Sequence, residues 1–175
     1  MSTAIPRVLL IGYGNPGRLD DGLGPALAEA VEGWGLPHVT VETDYQLTVE
    51  NSAAVAEHDV VIFADAAVDG LPPFRFRRLS PRAEVSFSSH SLSPAAVLGL
   101  AHELFGAATE GYLLGVRGYA FNEFEQSLSE PAKANLGEAL RFLERLLREG
   151  GFADAAKAFS GSSAEAPAPV NGVVS

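Results

Sequence analysis

The chain contains no cysteine, and it has one methionine and one tryptophan. The missing thiols exclude disulfides, thiolate metal sites, iron–sulfur clusters and a cysteine nucleophile. Long apolar runs are missing as well; none approaches the roughly 20 residues that a membrane helix needs. Positive charge is scarce, with 12 Lys and Arg against 22 Asp and Glu and a net charge of −10. Nucleic-acid binders present a basic face, because phosphate contacts supply most of their affinity. Nucleic acid is therefore not an expected partner. Arg75, Arg77, Arg78 and Arg82 form the one dense basic cluster, and it reads as the wet edge of a strand and turn. A nucleophile elbow, G-x-S-x-G, is also absent. Residues 1–7 lack the basic region and apolar core of a secretory signal, so a cytoplasmic protein with no membrane partner is expected.

What the chain has is a rhythm of strands and helices. With 175 residues and 47% hydrophobic content, one domain with a sizeable core is expected. Val8–Ile11 reads as a strand, followed by a glycine-rich turn and a helix over Pro25–Val31. His38–Thr43 alternates as a strand, and Thr48–Glu57 reads as a helix. Val60–Ala64 is a continuous β-branched and apolar run, as in a strand buried on both faces. Phe74–Leu79 alternates apolar and basic residues, the pattern of an edge strand with one wet face. Ser93-Pro94 predicts a helix N-terminus and Gly106 its stop. Tyr112–Val116 is a further strand. From Ser129-Glu-Pro131 onward, leucines spaced three or four apart predict one long amphipathic helix.

This alternation predicts an α/β fold, a three-layer α/β/α sandwich around a mostly parallel twisted sheet with an antiparallel edge strand. Residues 1–150 form the expected domain. Residues 151–175 are rich in Ala, Ser and Pro, and a disordered tail is expected from about residue 155.

Ligand sites in such folds gather beyond the carboxyl ends of the strands. Three groups with metal-binding chemistry stand at that rim: Asp21 after the first strand, Asp65 after Val60–Ala64, and His90 before the helix that starts at Ser93. Asp44, at the end of the second strand, is a fourth candidate. Two carboxylates and an imidazole make a mixed oxygen and nitrogen set that suits a divalent metal such as nickel or zinc, with positions left open. Each residue also has a plain structural role open to it: an aspartate at a helix start caps it, and a histidine in a serine-rich loop is commonly a surface residue. The glycines at 12, 14 and 17 match the G-x-G-x-x-G spacing. However, no helix opens directly after Gly17, and Asp20-Asp21 would repel a pyrophosphate.

Gly12-Tyr-Gly-Asn15, Asp20-Asp21-Gly-x-Gly24, Ala64-Asp65-Ala66 and His90 before a helix together resemble the hydrogenase maturation proteases. The resemblance covers roughly residues 7–147. These endopeptidases trim the C-terminal extension of nickel–iron hydrogenase large-subunit precursors after nickel insertion. The resemblance implies that Asp21, Asp65 and His90 engage nickel carried by the substrate, for which other divalent metals can substitute. It leaves the general base open, with Asp44 the candidate by position, and it implies substrate contact by Asn15 and Gln46. Some members carry glutamate where this chain has Asp21. Tyr45-Gln46-Leu47, in place of a glycine-rich stretch, resembles the branch serving bidirectional, NAD-reducing hydrogenases. Two other readings share these residues. One is a non-catalytic nickel-responsive chaperone or binding module. The other is a peptidyl-tRNA hydrolase-like esterase, which shares the G-x-G-N-P-G turn; against it, no histidine stands between that turn and His38.

Overall fold

A computed structural model of the chain describes residues 5–82, 92–122 and 124–165, with the side chains of 161–165 left aside. Five strands form one sheet: β1 (Val8–Tyr13), β2 (Val39–Asp44), β3 (Val60–Ala67), β4 (Phe74–Arg78) and β5 (Glu110–Arg117). Their order is β2-β1-β3-β5-β4. The first four in that order run parallel, and β4 pairs antiparallel with β5, as its alternating basic pattern predicts. Five helices cover the sheet: α1 (Leu23–Glu32), α2 (Asn51–Ala56), α3 (Pro94–Phe105), α4 (Glu130–Glu149) and α5 (Phe152–Glu165).

Alternation along the buried strands sends successive side chains to opposite faces, and each face builds its own core. Val8, Leu10, Ile62, Tyr112 and Leu114 meet Leu27, Val31, Leu143 and Leu147 of α1 and α4. Leu9, Ile11, Val61 and Phe63 meet Val55 of α2 and Val97, Leu98 and Ala101 of α3. The expected three layers are present. No helix among the described residues is long and apolar enough to cross a membrane. The helix signals act as read: Ser93 Oγ accepts from Ala96 N at 3.1 Å, and Gly106 closes α3 in the left-handed conformation (φ 64°).

The boundary expected at residue 150 is corrected. Phe152 and Ala156 of α5 are buried, and Phe159 packs on the same core. The Phe159 ring lies 5.3 Å from Phe74 and 5.6 Å from Phe142, and Phe74 lies 5.0 Å from Phe142. Low average hydropathy conceals two phenylalanines seven residues apart on one helical face, which alanines allow to approach closely. The folded domain therefore runs past residue 150 at least to Phe159 of α5, and residues 166–175 of the expected tail lie outside the described residues.

Two close contacts set the β1–α1 connection. A Cβ on Gly24, in the first turn of α1, would strike the backbone oxygens of Tyr13 and Ala64, and one on Gly12 would strike the Gly24 carbonyl. Only glycines let α1 sit this near β1 and β3. Leu19–Gly22 forms a 3-10 turn, and within it Asp20 is fully buried. Its Oδ2 accepts from Tyr119 N (2.7 Å), Ala120 N (2.9 Å) and Ser129 Oγ (2.7 Å), and its Oδ1 accepts from Ser129 N (2.7 Å). Ser129 is also the N-cap of α4. Burial pushes the Asp20 carboxyl up, but the hydrogen bonds from Ser129, Tyr119 and Ala120 outweigh it and hold the group below its ordinary value.

β2 forms one edge of the sheet and places Glu42 and Asp44 there. Burial first, and then the neighbouring charges of Asp44 and Glu57, raise the Glu42 carboxyl against an opposing pull from His58.

Asp20→Ala leaves three backbone N–H groups without their acceptor, and a loss of about 2–4 kcal/mol is expected at pH 7 from urea unfolding. A depressed folded-state pKa contributes stability above the ordinary value and loses it as pH falls through the folded value. The wild-type advantage over Asp20→Ala is therefore expected to shrink in acid, and an unchanged gap would contradict this role. Phe152→Ala is expected to cost about 3 kcal/mol, against almost nothing if α5 were undocked.

Candidate active site

The carboxyl ends of β1, β2 and β3 bring the predicted residues together. Register pairs Tyr13 with Asp44 on β2, and it aligns Gly12 with Ala64 on β3, so Asp65 stands next to Tyr13. Just beyond the strand ends lies a cavity of about 230 Å³ lined by Tyr13, Gly14, Asp21, Tyr45, Gln46, Leu47, Asp65 and Leu92. Asp21, Asp65 and Gln46 thus share one wall-to-wall space, although 44 positions separate the two aspartates.

Asp21 reaches the cavity because the turn folds back on itself. Gly14 has φ 139°, and a Cβ there would strike the Asp21 carbonyl. The Asp21 Oδ2 accepts from Asn15 N at 2.8 Å, while Asn15 Oδ1 accepts from Gly17 N at 2.8 Å. Asn15 therefore builds the turn that aims Asp21 and is not among the cavity-lining residues. The adjacent carboxylates separate by role: Asp20 turns into the protein as a fastener, and Asp21 turns outward to the rim.

Asp65 is half-buried. Its Oδ1 accepts from Ala66 N at 2.7 Å, and the Tyr13 hydroxyl donates to the same carboxylate. Burial raises the Asp65 carboxyl, the two hydrogen bonds lower it, and the charge of Asp21 raises it again, leaving it at about 6. Burial and the carboxylate of Asp65 hold the Tyr13 phenol far above its ordinary range, so Tyr13 stays neutral and donates. Tyr13 is the residue that sequence reading missed. Its signal was present, because it follows Leu9 and Ile11 on the same face at a spacing of two.

Asp44 ends β2 with its carbonyl accepting from Gly14 N (3.0 Å) and its Oδ2 accepting from Asn51 Nδ2 (3.0 Å). It stands in the row with Tyr13 and Asp65 but does not line the cavity. His90 lies outside the described residues; Leu92, two positions on, lines the cavity. No group of three metal-binding side chains is complete among the described residues. The other histidines are structural: ring nitrogens of His38, His58 and His102 donate to the carbonyls of Leu147, Ala54 and Thr109.

Two carboxylates facing one small cavity, one of them poised near neutrality, can bind a cation and exchange a proton. Such a site costs stability. A carboxyl whose folded value is about 6, against an ordinary 3.8, favours the neutral form, so folding loses stability as pH rises between those values. Asp65→Asn is expected to raise stability at pH 7 by about 1–3 kcal/mol and to flatten its pH dependence between about 4 and 6. Thermal unfolding across that range checks this; a destabilised Asp65→Asn would contradict it.

No family model and no curated protein matches the chain. Solved structures do. A nickel–iron hydrogenase maturation protease, HycI from Thermococcus kodakarensis KOD1, superimposes with a TM-score of 0.64 at 23% identity, over 82% of this chain and 93% of that one. The hydrogenase maturating endopeptidase HybD from E. coli gives 0.60 at 25% identity, over 83% and 94%. The solution structure of an endopeptidase from Escherichia coli gives 0.63 at 28% identity, also over 83% and 94%. The chain has the fold that these hydrogenase maturation endopeptidases share.

Proposed function

We propose that the protein is an endopeptidase that removes the C-terminal extension of a nickel–iron hydrogenase large-subunit precursor in the cytoplasm, after nickel insertion. The observation that carries this reading is the convergence of Asp21 and Asp65 on one cavity at the strand ends of a fold shared with maturation endopeptidases. The nickel belongs to the substrate. Asp21 and Asp65 supply hard anionic oxygen donors, and His90 supplies a nitrogen donor. Engaging the ion there makes cleavage conditional on its presence in the precursor.

Peptide hydrolysis needs water to attack the scissile carbonyl, a base to take the proton, and a donor to protonate the leaving amine. Asp44 is the proposed base, standing in register beside Tyr13 with Asn51 holding its Oδ2. Tyr13 keeps the Asp65 carboxylate oriented through its hydroxyl. Gln46 and Leu47 border the cavity where the substrate chain enters, with Gln46 the amide available to a peptide.

Purified protein mixed with nickel-loaded precursor is expected to release the extension, read as a mass loss at the precursor C-terminus. Asp21→Asn, Asp65→Asn and His90→Ala are each expected to lower kcat/KM by roughly 100-fold or more, as when a positioning contact to the reacting group is lost. Asp44→Asn should lower kcat with KM little changed. Nickel-free precursor should remain intact. Equal cleavage with and without nickel would defeat the checkpoint, and binding of the loaded precursor without cleavage would instead identify a chaperone.

A further inference from the structure

The row that aligns Asp44, Tyr13 and Asp65 continues across the sheet. Asp65 pairs with Gly115 on β5, and Gly115 pairs with Arg75 on β4. Cα partners on adjacent strands share a face, so carboxylate and guanidinium stand in one row with a glycine between them. Among the described residues, a Cβ there would meet only Ala67 Cβ, at 3.5 Å, an ordinary contact. Gly115 leaves that position of the row without a side chain. Beyond it lies a cavity of about 670 Å³ whose lining includes Ala67, Gly115, Leu113, Arg75, Arg77 and Lys157, together with one carboxylate, Asp69. Arg77 is exposed, and its charge reaches the Tyr13 hydroxyl.

We propose that this groove, from Asp65 over Gly115 to Arg75 and Arg77, is the subsite for an extended, carboxylate-bearing segment of the substrate polypeptide next to the scissile bond. The proposal rests on the endopeptidase reading. Its warrant is charge complementarity. The chain carries a net charge of −10, which repels an acidic peptide over most of the surface. Four of its 12 Lys and Arg residues, Arg75, Arg77, Arg78 and Lys157, line this cavity, beside the carboxylates that face the cationic end of the substrate. Strands lie about 4.8 Å apart, so the Asp65 and Arg75 backbones are roughly 10 Å apart, about three residues of extended chain. An acidic side chain about three residues from the nickel-bound group therefore meets the arginines. Local field of this kind decides where and in which direction a charged segment lands.

Steady-state cleavage of nickel-loaded precursor by wild type, Arg77→Glu and Gly115→Val tests this. Both variants are expected to keep the wild-type circular dichroism, since position 77 is exposed and position 115 has room for a Cβ. KM should rise roughly five- to tenfold with kcat within about twofold, as expected when a steering charge is lost or a groove is filled. Wild-type KM should rise with salt, and that of Arg77→Glu should not; Arg77→Lys should restore most of the loss. Replacing carboxylates of the extension by amides should reproduce the defect in wild type and add none in Arg77→Glu. The subsite is overturned if wild type cleaves while folded Arg77→Glu and Gly115→Val keep its KM. If wild type itself releases no extension, the endopeptidase reading fails and the subsite with it, a result visible before any variant is made.

Discussion

Four hydrogen bonds converge on the carboxylate of Asp20, and three come from backbone N–H groups of a segment about one hundred residues away. Through them the β1–α1 turn is fastened to the connection between β5 and α4, and to the first turn of α4 itself. A buried charge survives only where donors compensate its lost hydration, and here the compensation is complete. The geometry of the rim follows from that fastening. With Asp20 anchored inward, its neighbour Asp21 points the other way, and the Asn15 N–H fixes its direction. The chemistry at the cavity mouth is thus set by a carboxylate that takes no part in it.

Asp65 shows the opposite arrangement. It has two donors, a neighbouring like charge and incomplete burial. Its two protonation states lie close in free energy near neutral pH, and a cation would tip the balance towards the anion. Asp20 and Asp65 are thus the same side chain in two economies of hydration: one fully compensated and structural, the other undercompensated and receptive. That contrast marks the cavity beside Asp65 as the candidate site.

Much of this was legible in the sequence. The strand rhythm, the antiparallel edge strand, the Ser93 cap, the helix start near Ser129 and the rim positions of Asp21 and Asp65 rest on local rules of periodicity and capping. The roles of Asp20 and Asp21 were not separable in this way, because the donors that claim Asp20 come from residues 119–129, and no local rule couples those to position 20. Tyr13 looked like one more strand residue until register placed it beside Asp65. The reach of the fold past residue 150 was hidden by averaging: the Ala-rich composition around Phe152 and Phe159 suggested a solvated tail, whereas two aromatic rings suffice to dock a short helix. Asp44, a candidate by position, and Gln46, implied by the resemblance, both lie near the cavity, and Gln46 is the one that lines it.

The two edges of the sheet are closed off by different means. At β4, α5 packs against the strand and its rings cover one side. At β2 the sheet ends, with no further strand among the described residues. What guards that edge is the charge of Glu42 and Asp44, since like carboxylates on two copies repel each other and discourage strand-to-strand joining. Burial and the acidic neighbours raise the Glu42 carboxyl above its ordinary value. Protonation of Glu42 therefore thins the guard at β2, leaving that edge with less repulsion against strand-to-strand joining by a second copy.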